Sequence, residues 1–173
     1  MEPPQNPVGE FVKEESCDST RVAELIAQIE SAPAALRKAV AGLSDPQLDT
    51  KYRNWSIRQI VHHLADSHIN SYIRFKWALT EDLPTIKAYF EDRWVALEDS
   101  RTGAIDEPLA LFDAIHARWV QLLRTMTMAD FERSFIHPET GQTVSLKSAL
   151  CYYPWHSRHH TGQIGWLREQ HGW

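Results

Sequence analysis

Residues 57–79 carry an apolar stripe with helical spacing, and no other segment constrains the fold as strongly. The stripe occupies about 120° of a helical wheel, which is the width of a face that a helix buries against a core. Ser56 precedes it and Gln59 follows three residues later, a pairing that closes the first turn of a helix as a capping box. The pattern predicts a helix that begins after Ser56. The stripe consists of Ile57, Ile60, Val61, Leu64, Tyr72, Phe75 and Leu79.

Three further segments have the same periodicity, so four long helices are predicted in all. They begin near residues 19, 108 and 146, and the first and the last contain a proline, Pro33 and Pro154, that should kink them. Four amphipathic helices in a chain of 173 residues predict an all-α protein with one four-helix bundle. Residues 1–18 are predicted to form an arm, and residues 19–173 the single domain.

Two connections between the helices have a character of their own. In segment 131–145 apolar and polar residues alternate weakly, and residues 138–142 are typical of a turn, so a short β-hairpin is expected there. Segment 81–107 is predicted to be an irregular loop. A loop of this length in a compact domain often has a function, and this one is either a cover for the mouth of a pocket or a solvated connector.

A histidine pair in the last predicted helix indicates chemistry. His156 and His160 lie four residues apart, which places both rings on one helix face, one turn apart. Two neutral imidazoles can bind one metal ion, but a catalytic zinc ion usually takes three protein ligands and keeps one position open for water. His63, at the edge of the apolar face of the second helix, is the best candidate for the third ligand. His159 points away from the pair and is excluded as a ligand.

Three other residues near this predicted site have two interpretations each. Asp66 could orient an imidazole by accepting its hydrogen bond, or it could be a solvated acid on the helix surface. His68 and His116 both lie on apolar stripes. A buried, hydrogen-bonded core histidine is expected at each position, with a ligand role for His68 and a cavity-lining role for His116 as the alternatives.

Charge and composition exclude several classes of partner. The net charge is −5 and the charges are interspersed, so the chain lacks the basic patch that binds nucleic acid or an anionic membrane surface. It has neither a long apolar run nor the pattern of a signal peptide, which predicts a cytoplasmic protein. Cys17 and Cys151 are expected to be free thiols, although one bridge between them is conceivable.

Two stretches resemble the motifs of the DinB/YfiT-like metalloprotein superfamily. WSIRQIVHHLADSH, from Trp55 to His68, resembles the motif of its metal-bearing second helix, and YPWHSRHHTGQI, from Tyr153 to Ile164, resembles its C-terminal motif. The resemblance covers roughly residues 8–170 and is to the YfiT branch. It implies an up-down-down-up bundle, a homodimer, and one divalent ion per chain, Zn²⁺ or Ni²⁺. Carried onto this sequence, the ligands are His63, His156 and His160.

The resemblance to the YfiT branch implies a metal-dependent hydrolase that acts on a small molecule. The metal would polarise the substrate and activate a water molecule as the nucleophile. The general base is unassigned, and Asp66, Glu91 and Asp92 are the candidates.

Two alternatives use the same three histidines. Other branches are transferases of low-molecular-weight thiols such as bacillithiol or mycothiol, in which the metal activates the thiol; Arg74, Arg93 and Arg158 are then candidate contacts for its anionic groups. A metal-binding module without catalysis is the third hypothesis. The ligand set does not distinguish among the three.

Overall fold

The fold is taken from a computed structural model that describes residues 2–14 and 17–173. The predicted arm of residues 1–18 therefore includes three residues, Met1, Glu15 and Ser16, that lie outside the described part. The elements in chain order are α1 (Ser19–Val40), α2 (Asp45–Leu48), β1 (Lys51–Tyr52), β2 (Trp55–Ser56), α3 (Ile57–Thr80), α4 (Glu91–Val95), α5 (Glu98–Thr102), α6 (Asp106–Thr125), α7 (Met128–Glu132), β3 (Ser134–Ile136), β4 (Thr143–Ser145) and α8 (Leu146–His171).

The four long helices α1, α3, α6 and α8 form a bundle, which confirms the predicted all-α class. The predicted start of α3 is also confirmed. The backbone N–H of Gln59 donates to the Ser56 hydroxyl over 3.2 Å, and the Gln59 side-chain oxygen accepts from the Ser56 N–H over 2.9 Å. None of the helices in the described part of the chain is both long and apolar enough to cross a membrane.

Contacts between the helices establish their directions. Among contacting residues, the residue numbers of α1 and α8 increase in the same direction, and so do those of α3 and α6. The residue numbers of α1 and α6 increase in opposite directions. The contacts are Gln28 with Arg158, Ala39 with Arg168, His68 with His116, Phe75 with Trp119, Glu30 with Arg124, and Arg37 with Asp113. Helices α1 and α8 therefore run one way and α3 and α6 the other, in the up-down-down-up order that the resemblance implied.

The apolar core is divided into two clusters along the bundle axis. One cluster includes Ile29, Phe75 and Trp119, and the other includes Leu36 and Ile60. Among the buried histidines, His68 on α3 and His156 and His160 on α8 lie between the two clusters in sequence, whereas His63 lies among residues of the second cluster and His116 among residues of the first. These five rings contact one another and form a polar layer where the two apolar clusters meet.

The two predicted connections differ in outcome. The β-hairpin is confirmed, since β3 and β4 pair antiparallel with Phe135 opposite Val144. The irregular loop predicted at 81–107 was partly wrong, because it contains the short helices α4 and α5. Each of these has five residues and buries only one of them, Val95 or Ser100, so neither produces an apolar periodicity that a sequence pattern can reveal.

The N-terminal arm runs across the surface of the bundle. The Trp155 indole N–H donates to the Gly9 carbonyl over 3.0 Å, and the Tyr52 hydroxyl donates to the Pro4 carbonyl. At Gly162 on α8, an added Cβ would lie 2.7 Å from a methyl group of Val8, so any other residue here would require the Val8 side chain to shift. The arm is thus packed on α8 beside the predicted metal ligands.

Arg58 is the only arginine in the described residues that is fully buried, and it ties three segments together. Its guanidinium donates to Asp49 over 2.8 Å, to Asp45 over 2.9 Å and to the Gly103 carbonyl over 2.8 Å. We expect Arg58→Ala to lower the free energy of unfolding by about 2–3 kcal/mol, because charge-assisted hydrogen bonds and packing are lost together.

Arg101→Ala is the matched control for this measurement. Arg101 makes an exposed ion pair with Glu98 on the same helix, and such pairs contribute less than about 1 kcal/mol. Denaturant unfolding of both variants tests the expectation. Equal losses in the two would show that the buried contacts of Arg58 add nothing to stability.

Candidate metal centre

Three histidine rings converge between α3 and α8. His63 lies in the second turn of α3, and His156 and His160 lie one turn apart on α8, which runs antiparallel to it. One ring nitrogen from each histidine lies within 4.8 Å of the other two, and the Nε2 atoms of His63 and His156 are 3.3 Å apart. The three residues are only 5%, 6% and 8% exposed, so their rings meet in the interior of the bundle. The structure brings together the three residues that the sequence singled out.

Burial keeps these three rings neutral. Burial is the largest cause that lowers the pKa of each, to about 4 for His63 and well below the usual value for His156 and His160, and neighbouring imidazoles add to the effect. A histidine binds a metal through an unprotonated nitrogen of the neutral ring. At neutral pH the three rings are therefore in the charge state that metal binding requires.

Gln163 and His159 determine which nitrogen of His160 faces the other two ligand candidates. The Nδ1–H of His160 donates to the Gln163 side-chain oxygen over 2.8 Å, so its Nε2 has a free lone pair. The amide nitrogen of Gln163 in turn lies 3.0 Å from His159 Nε2 and donates to it when His159 carries its proton on Nδ1, which is the amide orientation that this assignment needs. His159 does not join the three converging rings, as expected, but it contacts the residue that orients one of them.

His156 belongs to a longer chain of buried histidines. Its Nδ1 lies 3.3 Å from Nε2 of His68, whose Nδ1 lies 2.9 Å from Nε2 of His116. His116 Nδ1 lies 2.6 Å from the backbone carbonyl oxygen of Ile29 on α1. His68 and His116 are buried and hydrogen-bonded, as the sequence suggested for core histidines. Their connection to His156 was missed, although both lie on inward helix faces.

Trp55 and the short helix α4 cover the triad. The Trp55 ring packs on His63 and His160, with centroids 4.6 and 6.0 Å away, and its indole N–H donates to Asp92 over 3.1 Å. A cavity of about 230 Å³ reaches His160 from the surface and is bordered by Trp55, Asp92 and Gln5 of the arm. Segment 81–107 and the arm therefore contribute to the mouth of the site.

The acids considered as general bases lie around the triad rather than within it. No hydrogen bond joins Asp66 to any of the three rings among the described residues, and the Nδ1 atom of His63 has no partner there. Burial, followed by the charge of Asp99, raises the pKa of Asp66 to about 6. Glu91 is exposed on α4, and the Asp92 carboxylate accepts the indole N–H of Trp55.

A second group of potential ligands lies at the start of α1. Cys17 and Cys151 are buried free thiols, and their sulfur atoms lie within 4.8 Å of each other and of the Glu14 carboxylate. Arg21 already binds this carboxylate through two of its nitrogens. Burial is the largest cause that raises the pKa of Cys151, to about 12, so its thiol is protonated and unreactive at neutral pH. The cysteines are structural thiols without a bridge.

The fold and the site together define a four-helix bundle with a buried histidine triad that could bind a metal ion. The model of the DinB superfamily matches residues 28–164, and the chain belongs to this family.

Relatives extend the likeness over nearly the whole chain. YfiT of Bacillus subtilis (strain 168), whose name carries a provisional assignment as a metal-dependent hydrolase, is 47% identical over 169 residues, covering 96% of this chain and 95% of the relative. A relative in Bacillus licheniformis with the same description is 46% identical, with 96% of each chain covered. The solved structure of Bacillus subtilis YfiT, described as a probable metal-dependent hydrolase with an unusual four-helix bundle topology, matches with a TM-score of 0.94 at 46% identity and covers 97% of each chain.

Proposed function

We propose that this protein is a metal-dependent hydrolase of a small-molecule substrate, with one divalent ion, Zn²⁺ or Ni²⁺, held by His63, His156 and His160. The observation that carries the proposal is the convergence of three buried, neutral imidazoles from two antiparallel helices. The relatives described as metal-dependent hydrolases support the same activity.

The donor set fits such an ion. Imidazole nitrogens suit zinc and nickel, and three protein ligands leave a coordination position for water or substrate. The hydrogen bond from His160 to Gln163 leaves Nε2 of His160 free for coordination. His63 and His156 already direct their Nε2 atoms toward each other, at a separation that two ligands of one ion can adopt after a small movement.

The chain's own residues shape the environment of the reaction. When bound, the ion would act as a Lewis acid and lower the pKa of a coordinated water molecule. Trp55 packs over two of the rings and limits the access of bulk water, which strengthens electrostatic interactions inside the site. Gln163 holds the proton on Nδ1 of His160 and prevents rotation of that ring. Asp66, Glu91 and Asp92 remain the candidates for a general base.

Arg74 favours a second candidate function, a thiol S-transferase. A cavity of about 300 Å³ is lined by Arg74, His137 and Tyr152, and the Tyr152 ring packs 5.5 Å from that of His156. The Nε of Arg74 is buried without a hydrogen-bond partner among the described residues, as expected for a group that binds an anionic ligand. By contrast, Arg158 donates to Gln28 on the outside of the bundle.

An activity screen tests the two functions against each other. Protein loaded with Zn²⁺ or Ni²⁺ is incubated with chromogenic esters and amides and with an electrophile, each with and without a low-molecular-weight thiol. Hydrolysis that needs the metal but not the thiol supports the hydrolase. Conjugation that needs the thiol, with a raised KM for the thiol in Arg74→Gln, would replace it with the transferase. Metal binding without either activity would leave a non-catalytic metal-binding module.

A homodimer is also part of the proposal, because the resemblance to the YfiT branch implies one. Size-exclusion chromatography with light scattering tests it on the full chain. A mass of about 20 kDa at micromolar concentration, which is the mass of one chain, would contradict it.

A further inference from the structure

The histidine chain behind His156 ends on a carbonyl group that the sequence of α1 leaves available. Helix α1 contains Pro33, which has no backbone N–H. In an α-helix the N–H of residue 33 would donate to the carbonyl of residue 29, so Ile29 lacks its usual donor. The Nδ1 atom of His116 lies 2.6 Å from this carbonyl oxygen and takes the place of that donor.

The hydrogen bond to this carbonyl determines which nitrogen carries the proton on every ring of the histidine chain. A carbonyl oxygen only accepts hydrogen bonds, so His116 carries its proton on Nδ1 and its Nε2 is an acceptor. His68 must then carry its proton on Nδ1 to make the 2.9 Å contact with His116, which leaves its own Nε2 as an acceptor. His156 is the group that can donate to it, through Nδ1 at 3.3 Å.

Ser157 does not disturb this assignment. Its hydroxyl lies 3.5 Å from His68 Nε2, but it also lies 3.1 Å from the Tyr153 carbonyl, which can only accept. With the hydroxyl proton on the Tyr153 carbonyl, His68 Nε2 receives its hydrogen bond from His156. The unprotonated nitrogen of His156 is consequently Nε2, the atom that lies 3.3 Å from Nε2 of His63.

We propose that His68 and His116 are positioning residues that hold His156 in the Nδ1–H tautomer and so present its Nε2 to the metal ion. The inference rests on the metal site proposed above. Free histidine rings exchange between tautomers, and a partner on the far nitrogen selects the one that can coordinate. The selection starts at the Ile29 carbonyl and passes through His116 and His68 to His156.

Metal affinity of the folded protein tests this role with variants at His68. We expect His68→Leu to weaken Zn²⁺ binding about 10–100-fold, as loss of an outer-shell partner does. His68→Gln should stay close to the wild type, because its side-chain oxygen can still accept from His156 Nδ1–H. Chelator competition gives the dissociation constants. Equal affinities of the wild type and His68→Leu would overturn the proposal.

Phe112→Leu is the matched packing control. The Phe112 ring lies against both His68 and His116, at centroid distances of 4.9 and 4.1 Å, and makes no hydrogen bond to either. We expect this variant to lose stability but to keep its affinity for Zn²⁺. A loss of affinity in Phe112→Leu as large as that in His68→Leu would show that packing alone sets the site.

A direct readout of the tautomers separates this inference from the metal site itself. Long-range ¹H–¹⁵N NMR spectra of the metal-free wild type distinguish protonated from unprotonated ring nitrogens. We expect His116, His68 and His156 all to be protonated on Nδ1 alone. An Nε2–H tautomer at His156 would overturn the proposed role of His68 and His116 even if the protein binds metal. The expected tautomers without metal binding would support the hydrogen-bond chain and reject the metal site.

Discussion

Replacing His63 or His160 with alanine is expected to lower the affinity for Zn²⁺ or Ni²⁺ by about 100-fold or more. Binding free energies of protein zinc sites are on the order of 10 kcal/mol, so the loss of one ligand in three removes roughly 3 kcal/mol. Both side chains are buried with a ring nitrogen near the other ligand candidates, and no other histidine of the described residues belongs to this group of converging rings. Metal content after purification without chelator, followed by chelator competition, gives the result.

His62→Gln is the matched control for these ligand variants. His62 is the neighbour of His63 in sequence but faces the other side of α3, where its Nε2 lies 3.2 Å from the Ala104 carbonyl. We expect this variant to bind metal as the wild type does. Full retention of metal by His63→Ala and His160→Ala would contradict the proposed ligand set, and an equal loss in His62→Gln would point to general unfolding.

Lowering the pH from about 7.5 to about 5.5 is expected to remove several kcal/mol from the unfolding free energy of the metal-free protein. Five buried rings have pKa values lowered first of all by burial, to about 4 for His63 and His116 and well below the usual value for the other three. The five are His63, His68, His116, His156 and His160. Below pH 6.5 the unfolded chain takes up protons at these positions and the folded chain does not, so stability falls as the pH falls.

The size of this effect follows from linkage. Each ring that stays neutral in the folded state lowers the free energy of unfolding by roughly 1.4 kcal/mol at pH 5.5, and the five rings together lower it by up to about 7 kcal/mol. Asp66 acts in the opposite direction, because its raised pKa lets the folded state take up a proton near pH 6. This uptake offsets less than the loss of stability caused by one histidine ring. The expected loss is comparable to the whole stability of many domains.

Denaturant unfolding at several pH values, in the presence of chelator, measures this dependence. The slope of the unfolding free energy against pH is proportional to the number of protons taken up on unfolding. His116→Gln should reduce that number by up to one, because the amide does not titrate. A wild-type unfolding free energy that stays level between pH 7.5 and 5.5 would contradict the prediction and would mean that the folded rings accept protons as easily as the unfolded ones.

The long helices and the three ligand candidates could be predicted from the sequence because both depend on local repetition. Apolar spacing places residues on a helix face, and the spacing of four between His156 and His160 puts both rings on one side of α8. His63 followed from its place at the edge of the apolar face of α3, and the resemblance to a family implied the same three residues. The short helices α4 and α5 could not be predicted in the same way, since each buries a single residue.

The sequence by itself determined which side chains face inward, including His68 and His116, but not which of them meet. A helical wheel gives the angle of a side chain around its own axis and contains no information on the height of one helix relative to the next. Only the tertiary structure placed His116 of α6 at the level of Ile29 on α1 and His68 at the level of His156 on α8. Packing of the two apolar clusters fixes those levels, because shifting one helix by a turn would expose core side chains of both.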